Sequence, residues 1–182
     1  MSRIQYILSI IILLTFSGMD GRAQQTQIVK ANALSPLFRT ANVSFEHTLN
    51  ESRSLQLGFY YSGVTIRDVR FRGVGITPEY RFYLSQSREA PNGFYVAPFL
   101  RYQNLRLELT EQNGGGRLTA LGGGVIAGYQ FALGQRSSLD LFAGPSYSAT
   151  SLRANGVPIP TFPIRLLTGF LPRAGVTLGI AF

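Results

Sequence analysis

The sequence predicts an all-β protein, an eight-stranded antiparallel transmembrane up-and-down β-barrel. Three observations lead to this fold class. Apolar and polar residues alternate with a period of two in separate stretches, and short and long connections alternate between those stretches. The chain of 182 residues is also rich in Phe (13), Tyr (9) and Gly (20). Alternation gives a strand one apolar and one polar face, and this composition favours strands and tight turns over helices.

The N-terminal segment has the layout of a secretory signal peptide. Arg3 precedes an apolar run over 7–16, and small residues lead up to an expected cut after Ala23. The run is shorter than the roughly 20 residues of a membrane-spanning helix. We therefore expect residues 1–23 to be removed and residues 24–182 to form the barrel, with an uncleaved N-terminal anchor as the alternative.

Alternating stretches follow one another along the rest of the chain. They span 29–34, 41–49, 55–62, 75–84, 94–103, 121–131, 139–148 and 173–182. An even number of stretches, each near the roughly 9–11 residues of a tilted membrane strand, is typical of a bacterial membrane barrel. Pro78 and Pro98 weaken the fourth and fifth stretches, because proline cannot donate a hydrogen bond to a ladder.

The connections differ in length on the two sides of the predicted sheet. Those of one side are short or moderate, at 50–54, 85–93 and 134–138. Those of the other side are mostly longer, at 35–40, 62–73, 110–117 and 151–170. Short turns on one side and longer loops on the other are typical of an outer-membrane barrel, and both termini then lie on the short-turn, periplasmic side.

The polar face of the strands predicts the content of the lumen, because eight strands enclose a space that side chains just fill. The inward set is Lys30, Glu46, Tyr60, Glu79, Arg81, Tyr83, Tyr95, Arg101, Gln130, Asp140 and Arg173. Buried charges have to pair. We therefore predict a lumen ion-pair network of Glu46, Glu79, Arg81, Arg101, Asp140 and Arg173. A gate that rearranges to conduct ions is the alternative, and the protein would then be a small gated pore.

Arginines in the predicted outer loops are candidates for contact with lipopolysaccharide. The chain has a formal net charge of +8 without a basic run typical of nucleic-acid binding. The contact candidates are Arg67, Arg70, Arg72, Arg153 and Arg165. Guanidinium groups bind phosphate through paired hydrogen bonds. The third outer loop is neutral, because Glu108 and Glu111 balance Arg106 and Arg117.

The fourth outer loop contains an apolar segment, Gly156–Phe170, that is unusual for a loop facing water. Exposed apolar patches mark partner sites, so we expect this segment to contact a protein partner in the outer membrane. Hairpin strands that extend above the membrane are the alternative explanation.

Few residues in the chain could support catalysis. There is no cysteine and one histidine, His47, which the alternation places on the lipid side near the periplasmic end. Glu46 and Thr48 point the other way, so no triad with His47 forms readily. We expect no catalytic, cofactor or metal site, and a lipid-modifying hydrolase is the less favoured alternative.

The eight stretches, the leader and the terminal "VTLGIAF" resemble the eight-stranded outer-membrane barrels of the OmpA/OmpX type. The resemblance implies that Val176, Leu178, Ile180 and Phe182 form the signal that the barrel-insertion machinery reads. The segments "ITPEYRFYL" and "GFYVAPFLRY" are similar to a family of small outer-membrane barrels with a PEYR-type strand, and that resemblance carries no known reaction.

These observations lead to one expectation for function. The protein is expected to be an integral outer-membrane barrel with a structural or binding role, whose outer loops engage surface glycolipid or a protein partner, as in a subunit of a larger complex. A soluble carrier of lipocalin type is the structural alternative, and its interior would be apolar and its exterior polar.

Overall fold

The computed structural model describes residues 27–66, 69–85, 90–109, 115–155 and 167–182. Its strands are β1 (Gln27–Asn32), β2 (Thr40–Asn50), β3 (Arg53–Ile66), β4 (Val69–Tyr83), β5 (Gly93–Leu109), β6 (Gly115–Leu133), β7 (Ser137–Asn155) and β8 (Gly169–Ala181), with a 3-10 turn at Ser35–Phe38. The predicted signal peptide, residues 1–23, lies outside the described residues. No helix in the described ranges is long and apolar enough to cross a bilayer.

The sheet closes into a ring of eight antiparallel strands, which confirms the predicted fold class. Each strand pairs with the next, and β1 pairs with β8, where Val29 lies opposite Ile180 and Ala31 opposite Leu178. Closure pairs both long edges of the sheet. This is the arrangement that a sheet in lipid requires, because the hydrocarbon offers no water to bind free backbone groups.

The two faces of the ring differ in chemistry. Outward side chains include Val43, Phe45, Leu57, Ile76 and Val125, all exposed. Inward side chains include Lys30, Glu46, Glu79, Arg81 and Asp140, all buried. The remaining residues predicted to face the lumen also lie on the inner face. A polar interior under an apolar exterior excludes the lipocalin-type alternative and is the pattern of a barrel that spans a membrane.

Aromatic residues mark both margins of the outward apolar band. Phe82, Phe94 and Phe131 lie towards the short turns, and Tyr61, Tyr102 and Tyr147 towards the opposite end. With a rise of about 3.3 Å per residue and a tilt of about 40°, β5 climbs about 20 Å between Phe94 and Tyr102, close to the roughly 25 Å of a membrane band. We call the end with the short turns, where β1 begins and β8 ends, the turn end, and the opposite end the hairpin end.

Strands at the hairpin end extend well beyond the predicted stretches. β3 and β4 continue to Ile66 and Val69, and β7 continues to Asn155. The assignment of Arg70, Arg72 and Arg153 to loops is therefore wrong, because all three lie on strands. The other two loop arginines, Arg67 and Arg165, lie outside the described residues.

An apolar cluster explains why pairing continues beyond the membrane band. Val69, Phe71, Leu105, Leu107 and Leu118 pack together on the inner face of the extended hairpins, and each is at most 2% exposed. We call them the hairpin cluster. Their burial stabilises ladders that would otherwise fray in water. The hairpin cluster lies on the inner face of β4, β5 and β6 at this end.

Pro78 and Pro98 are accommodated at one seam of the ring. In the β4–β5 ladder, the pair Ile76–Tyr102 is followed by Glu79–Phe99 and then by Phe82–Val96. Each proline lies in a gap of the β4–β5 ladder. On the other side, Pro78 pairs with β3 and Pro98 pairs with β6. The two missing donors therefore fall on the same seam.

The first prediction concerns the depth of the lipid-facing surface. Val125→Arg, in the middle of the outward band of β6, is expected to lower the free energy of unfolding by about 2–4 kcal/mol, and Thr119→Arg, on the same strand and face beyond the band, by about 0–1 kcal/mol. Denaturant titration of the protein folded into phospholipid vesicles measures both. Equal costs at the two positions would contradict a lipid-facing band.

Candidate functional site

A group of buried charges fills the lumen near the turn end. Lys30 Nζ lies 2.5 Å from a Glu46 carboxylate oxygen and 3.1 Å from Asp140. Arg81 contacts Asp140 at 2.8 Å through Nη1 and Glu79 at 3.1 Å through Nη2. The side chains of all five residues are at most 1% exposed. We call these five residues the lumen plug.

The plug draws its members from four strands of the ring. β1 supplies Lys30, β2 Glu46 and β7 Asp140, while β4 supplies both Glu79 and Arg81. In each strand, alternation turns the charged residue inward while its apolar neighbours face outward. The Lys30–Glu46 pair joins the neighbouring strands β1 and β2, whereas the Arg81–Asp140 pair crosses the lumen from β4 to β7.

Neutral polar groups complete the hydrogen bonding of the plug. The hydroxyl of Tyr83 donates to Glu46 at 2.7 Å, and that of Tyr95 donates to Asp140 at 2.8 Å. Gln56 donates to Glu79 at 2.9 Å, and Ser54 donates to Glu46. Gln130 accepts a hydrogen bond of 2.6 Å from Lys30. These bonds replace part of the hydration that the charges lose on burial.

Glycine at position 128 makes room for this arrangement. A Cβ built there would lie 2.6 Å from the Cζ and hydroxyl oxygen of Tyr95. The Tyr95 ring in turn supports the Arg81 guanidinium, whose Cζ lies 4.4 Å from the ring centroid. Gly128 therefore serves to admit a large lumen side chain.

Two further cationic side chains lie between the plug and the hairpin end. Arg173 Nη2 lies 2.5 Å from Glu79 Oε1, and its guanidinium carbon lies 4.3 Å and 5.1 Å from the ring centroids of Phe99 and Phe142. Arg101 also lies on the inner face, and its cross-strand neighbour is Gly122. No described carboxylate forms an ion pair with it.

The predicted six-residue network is thus only partly assembled. Glu46, Glu79, Arg81, Asp140 and Arg173 are joined by ion pairs. The prediction that Arg101 belongs to this network is wrong. Arg101 lies closer to the hairpin end than the plug does, and its neighbour on β6 is a glycine, which has no side chain to pair with it. Lys30 belongs to the network although the six-residue assignment omits it. Only the ring geometry reveals this, because the nearest carboxylates lie on β2 and β7.

Four arginines form a continuous row on the outward face at the hairpin end. Arg72 of β4 lies opposite Arg106 of β5, which lies opposite Arg117 of β6, which lies opposite Arg153 of β7. All four are exposed, and none forms a hydrogen bond or ion pair with another described residue. We call them the arginine row. Like charges directly opposite one another destabilise a sheet.

The row borders an open recess of about 500 Å³ lined by Arg106, Glu108, Gly115, Gly116, Arg117 and Arg153, together with Leu107. Arg106 and Arg117 were missed by the sequence reasoning, which counted them as balanced by Glu108 and Glu111. The one described acidic side chain nearby, Glu108, lies opposite Arg70 one rung further out. Alignment of the four arginines depends on strand register, which composition does not reveal.

The rungs below the row connect it to the apolar band. The nearest rung is Val74, Asn104, Thr119 and Ser151, and the next is Ile76, Tyr102, Leu121 and Ala149. The outward surface thus passes from apolar and aromatic through mostly polar to cationic within a short distance.

The predicted insertion residues lie on β8 and at its end. Val176, Leu178 and Ile180 alternate with inward residues, and Ile180 pairs with Val29 and Ser137. Phe182 is 64% exposed, and its backbone N–H donates to Gln27 at 3.0 Å. The last strand therefore closes the ring, and its reading by the insertion machinery stays a prediction.

Two further predicted features are placed only in part. Of Gly156–Phe170, residues 156–166 lie outside the described residues. Leu167 packs against the hairpin cluster, and Phe170 is 83% exposed with its ring centroid 5.2 Å from that of Tyr147. His47 is exposed on the outward face near the turn end, opposite Leu55. Across the described ranges, no group of His, Asp and Glu side chains could hold a metal ion.

Both the sequence and the fold have relatives among known proteins. The family described as "Protein of unknown function (DUF3575)" matches residues 7–154. No curated protein matches the chain in sequence. The crystal structure of Neisserial surface protein A (NspA) is similar in fold, with a TM-score of 0.48 and 17% identity, over 86% of this chain and 94% of that chain.

The second prediction concerns the lumen plug. Glu46→Gln leaves Lys30 short of its closest counter-charge, so we expect it to lower the free energy of unfolding by about 3–5 kcal/mol. The exposed turn residue Glu51 provides the control, since Glu51→Gln should change it by about 0.5 kcal/mol or less. Denaturant unfolding in detergent micelles measures both.

A double variant separates charge imbalance from lost packing. Glu46→Gln combined with Lys30→Met leaves Arg81 and Arg173 balanced by Glu79 and Asp140, so it should recover part of the stability lost in Glu46→Gln alone. If Glu46→Gln is as mild as Glu51→Gln, the plug does not stabilise the barrel.

Proposed function

This chain belongs to the DUF3575 family, and from that premise we propose an integral outer-membrane barrel with a structural and binding role rather than a catalytic one. Its ligand is the phosphate-bearing headgroup of surface glycolipid, lipopolysaccharide, held by the arginine row. The arginine row is the observation that carries this proposal.

The spacing of the row suits several phosphates side by side. Neighbouring strands lie about 4.8 Å apart, so four guanidinium groups form a cationic strip along the outside of the barrel. Each guanidinium presents paired donors that match phosphate oxygens. An anion bound along the strip relieves the repulsion between arginines that lie directly opposite one another.

The height of the row suits a lipid headgroup rather than a solute. Arg106 lies about 10 Å beyond Tyr102 along the barrel axis, using a rise of about 3.3 Å per residue and a tilt of about 40°. The headgroup region adds about 5–8 Å to each side of the hydrocarbon core. Because arginine stems bend towards the interface, guanidinium groups on this rung reach the level of the phosphates.

Location and orientation are part of the same proposal. The signal peptide at 1–23 directs export, and the barrel-insertion machinery reads Val176, Leu178, Ile180 and Phe182. The turn end, with both termini, then faces the periplasm. The hairpin end faces outward, where lipopolysaccharide forms the outer leaflet.

A filled lumen favours binding over conduction. The plug occupies the turn end, and the hairpin cluster lies on the inner face at the other end. A small gated pore would have to break several buried ion pairs and separate an apolar cluster, both of which are costly. Contact with a protein partner through Gly156–Phe170 is the second binding role, favoured by the exposed Phe170 ring.

The third prediction tests the arginine row. The double variant Arg106→Gln/Arg117→Gln should weaken binding of lipopolysaccharide to the barrel in nanodiscs about tenfold or more, since each charge-assisted hydrogen bond contributes about 1.5–3 kcal/mol. Native mass spectrometry with and without added lipopolysaccharide measures the bound fraction. Enzymatically dephosphorylated lipopolysaccharide should bind the wild-type barrel as weakly as the variant binds the intact lipid.

The control moves the same charge loss to the opposite end. Arg53→Gln/Arg136→Gln alters two arginines at the turn end and should leave lipopolysaccharide affinity unchanged. Equal loss in both double variants would indicate a nonspecific effect of net charge. Retained affinity in Arg106→Gln/Arg117→Gln would overturn the proposal in favour of a protein partner.

A further inference from the structure

The charges of the described residues inside the ring do not balance. Lys30, Arg81 and Arg173 are matched by Glu46, Glu79 and Asp140, all joined through ion pairs. Arg101 is the additional cation among the described inner-face residues, and no described carboxylate lies within ion-pair distance of it, since Glu79, one rung away, is paired with Arg81 and Arg173. Cations inside a protein are ordinarily paired. Arg101 is therefore available to bind an anion from outside the chain.

Arg101 borders a recess of about 300 Å³ in the lumen, between the plug and the hairpin cluster. Polar side chains around it include Asn32, Asn42, Arg101, Gln103, Ser148 and Arg173. β6 contributes Gly122 and Gly123 to the wall, and glycine leaves the space open. The recess is distinct from the outward surface that holds the arginine row.

Arg173 provides a second, independent indication of an anion. Its side chain is 10% exposed, and its Nη2 is paired with Glu79. Its other terminal nitrogen, Nη1, is buried without a hydrogen-bond partner. An unsatisfied buried donor is costly, and this one belongs to a residue that lines the recess beside Arg101.

We propose that this recess binds a small oxyanion of the phosphate class. The Arg101 guanidinium and Arg173 Nη1 supply charged donors, and the amides of Asn32, Asn42 and Gln103 supply neutral ones. Such a set matches the several acceptor oxygens of phosphate better than a single chloride. The volume admits one phosphate with a few waters. Bound phosphate neutralises the additional lumen charge and links β1, β2, β5 and β8.

The fourth prediction uses inorganic phosphate and the full barrel in detergent micelles. Phosphate should raise the thermal midpoint of the wild-type protein with saturation, because a ligand that binds only the folded state stabilises it. Arg101→Gln should weaken phosphate binding, measured by isothermal titration calorimetry, about tenfold or more. In phosphate-free buffer the same variant should have a midpoint at or above that of wild type, because it removes a half-buried cation without an ion-pair partner among the described residues.

Further variants keep the test independent of folding and of the outer surface. Asn42→Leu leaves every charge in place and should weaken phosphate binding severalfold. Arg106→Gln/Arg117→Gln should retain the phosphate-dependent rise in midpoint, which separates the recess from the arginine row. The proposal is overturned if Arg101→Gln and Asn42→Leu both bind phosphate like wild type. It is also overturned if chloride alone saturates the site, or if the arginine-row variant loses the response.

Discussion

Pairing of β1 with β8 is the constraint on which the other features of this barrel depend. In lipid, a sheet with an open edge exposes backbone N–H and C=O groups that nothing can satisfy, so the ring has to close. Closure turns one residue of every alternating pair inward and the next outward. Each charge on the inner face is then confined to a narrow lumen, and each apolar side chain on the outer face meets lipid.

Confinement makes the lumen chemistry cooperative. Lys30, Glu46, Arg81 and Asp140 come from four different strands, and the Arg81–Asp140 pair crosses the lumen, so these ion pairs connect the wall of the barrel. The same confinement isolates Arg101, because the plug is complete without it. Within the membrane band the inner face is polar and the outer face apolar. Beyond the band this reverses, because the inner face is apolar at the hairpin cluster and the outer face is cationic at the arginine row. The arginine row on the outer face and the recess beside Arg101 in the lumen are the sites of the two anion-binding proposals.

Alternation of apolar and polar residues is enough to predict most of the fold, whereas predicting the sites requires the register between strands. A period of two assigned the inward faces of Lys30 and Asp140 without any knowledge of their partners. It did not reveal the arginine row, because Arg72, Arg106, Arg117 and Arg153 come together only when four strands are paired correctly. The sequence analysis interpreted the extended hairpins as loops. The alternating apolar residues there, such as Val69 and Phe71, are next to the polar tip of the hairpin, so the stretch resembles a polar loop. Contacts between residues on strands that are distant in the sequence leave no local pattern from which they could be predicted.

Closure of the ring can be measured directly, because the chain contains no cysteine. Val29 and Ile180 are paired residues of β1 and β8, so Val29→Cys/Ile180→Cys should form an intramolecular disulfide under mild oxidation in intact cells. Val29→Cys/Leu141→Cys is the control: Leu141 lies on β7, two strands from β1 and four residues out of register with Val29, so the two positions are about 16 Å apart and the variant should keep free thiols. Maleimide mass-tagging counts the thiols. Free thiols in both folded variants, or disulfides only between chains, would contradict a closed barrel.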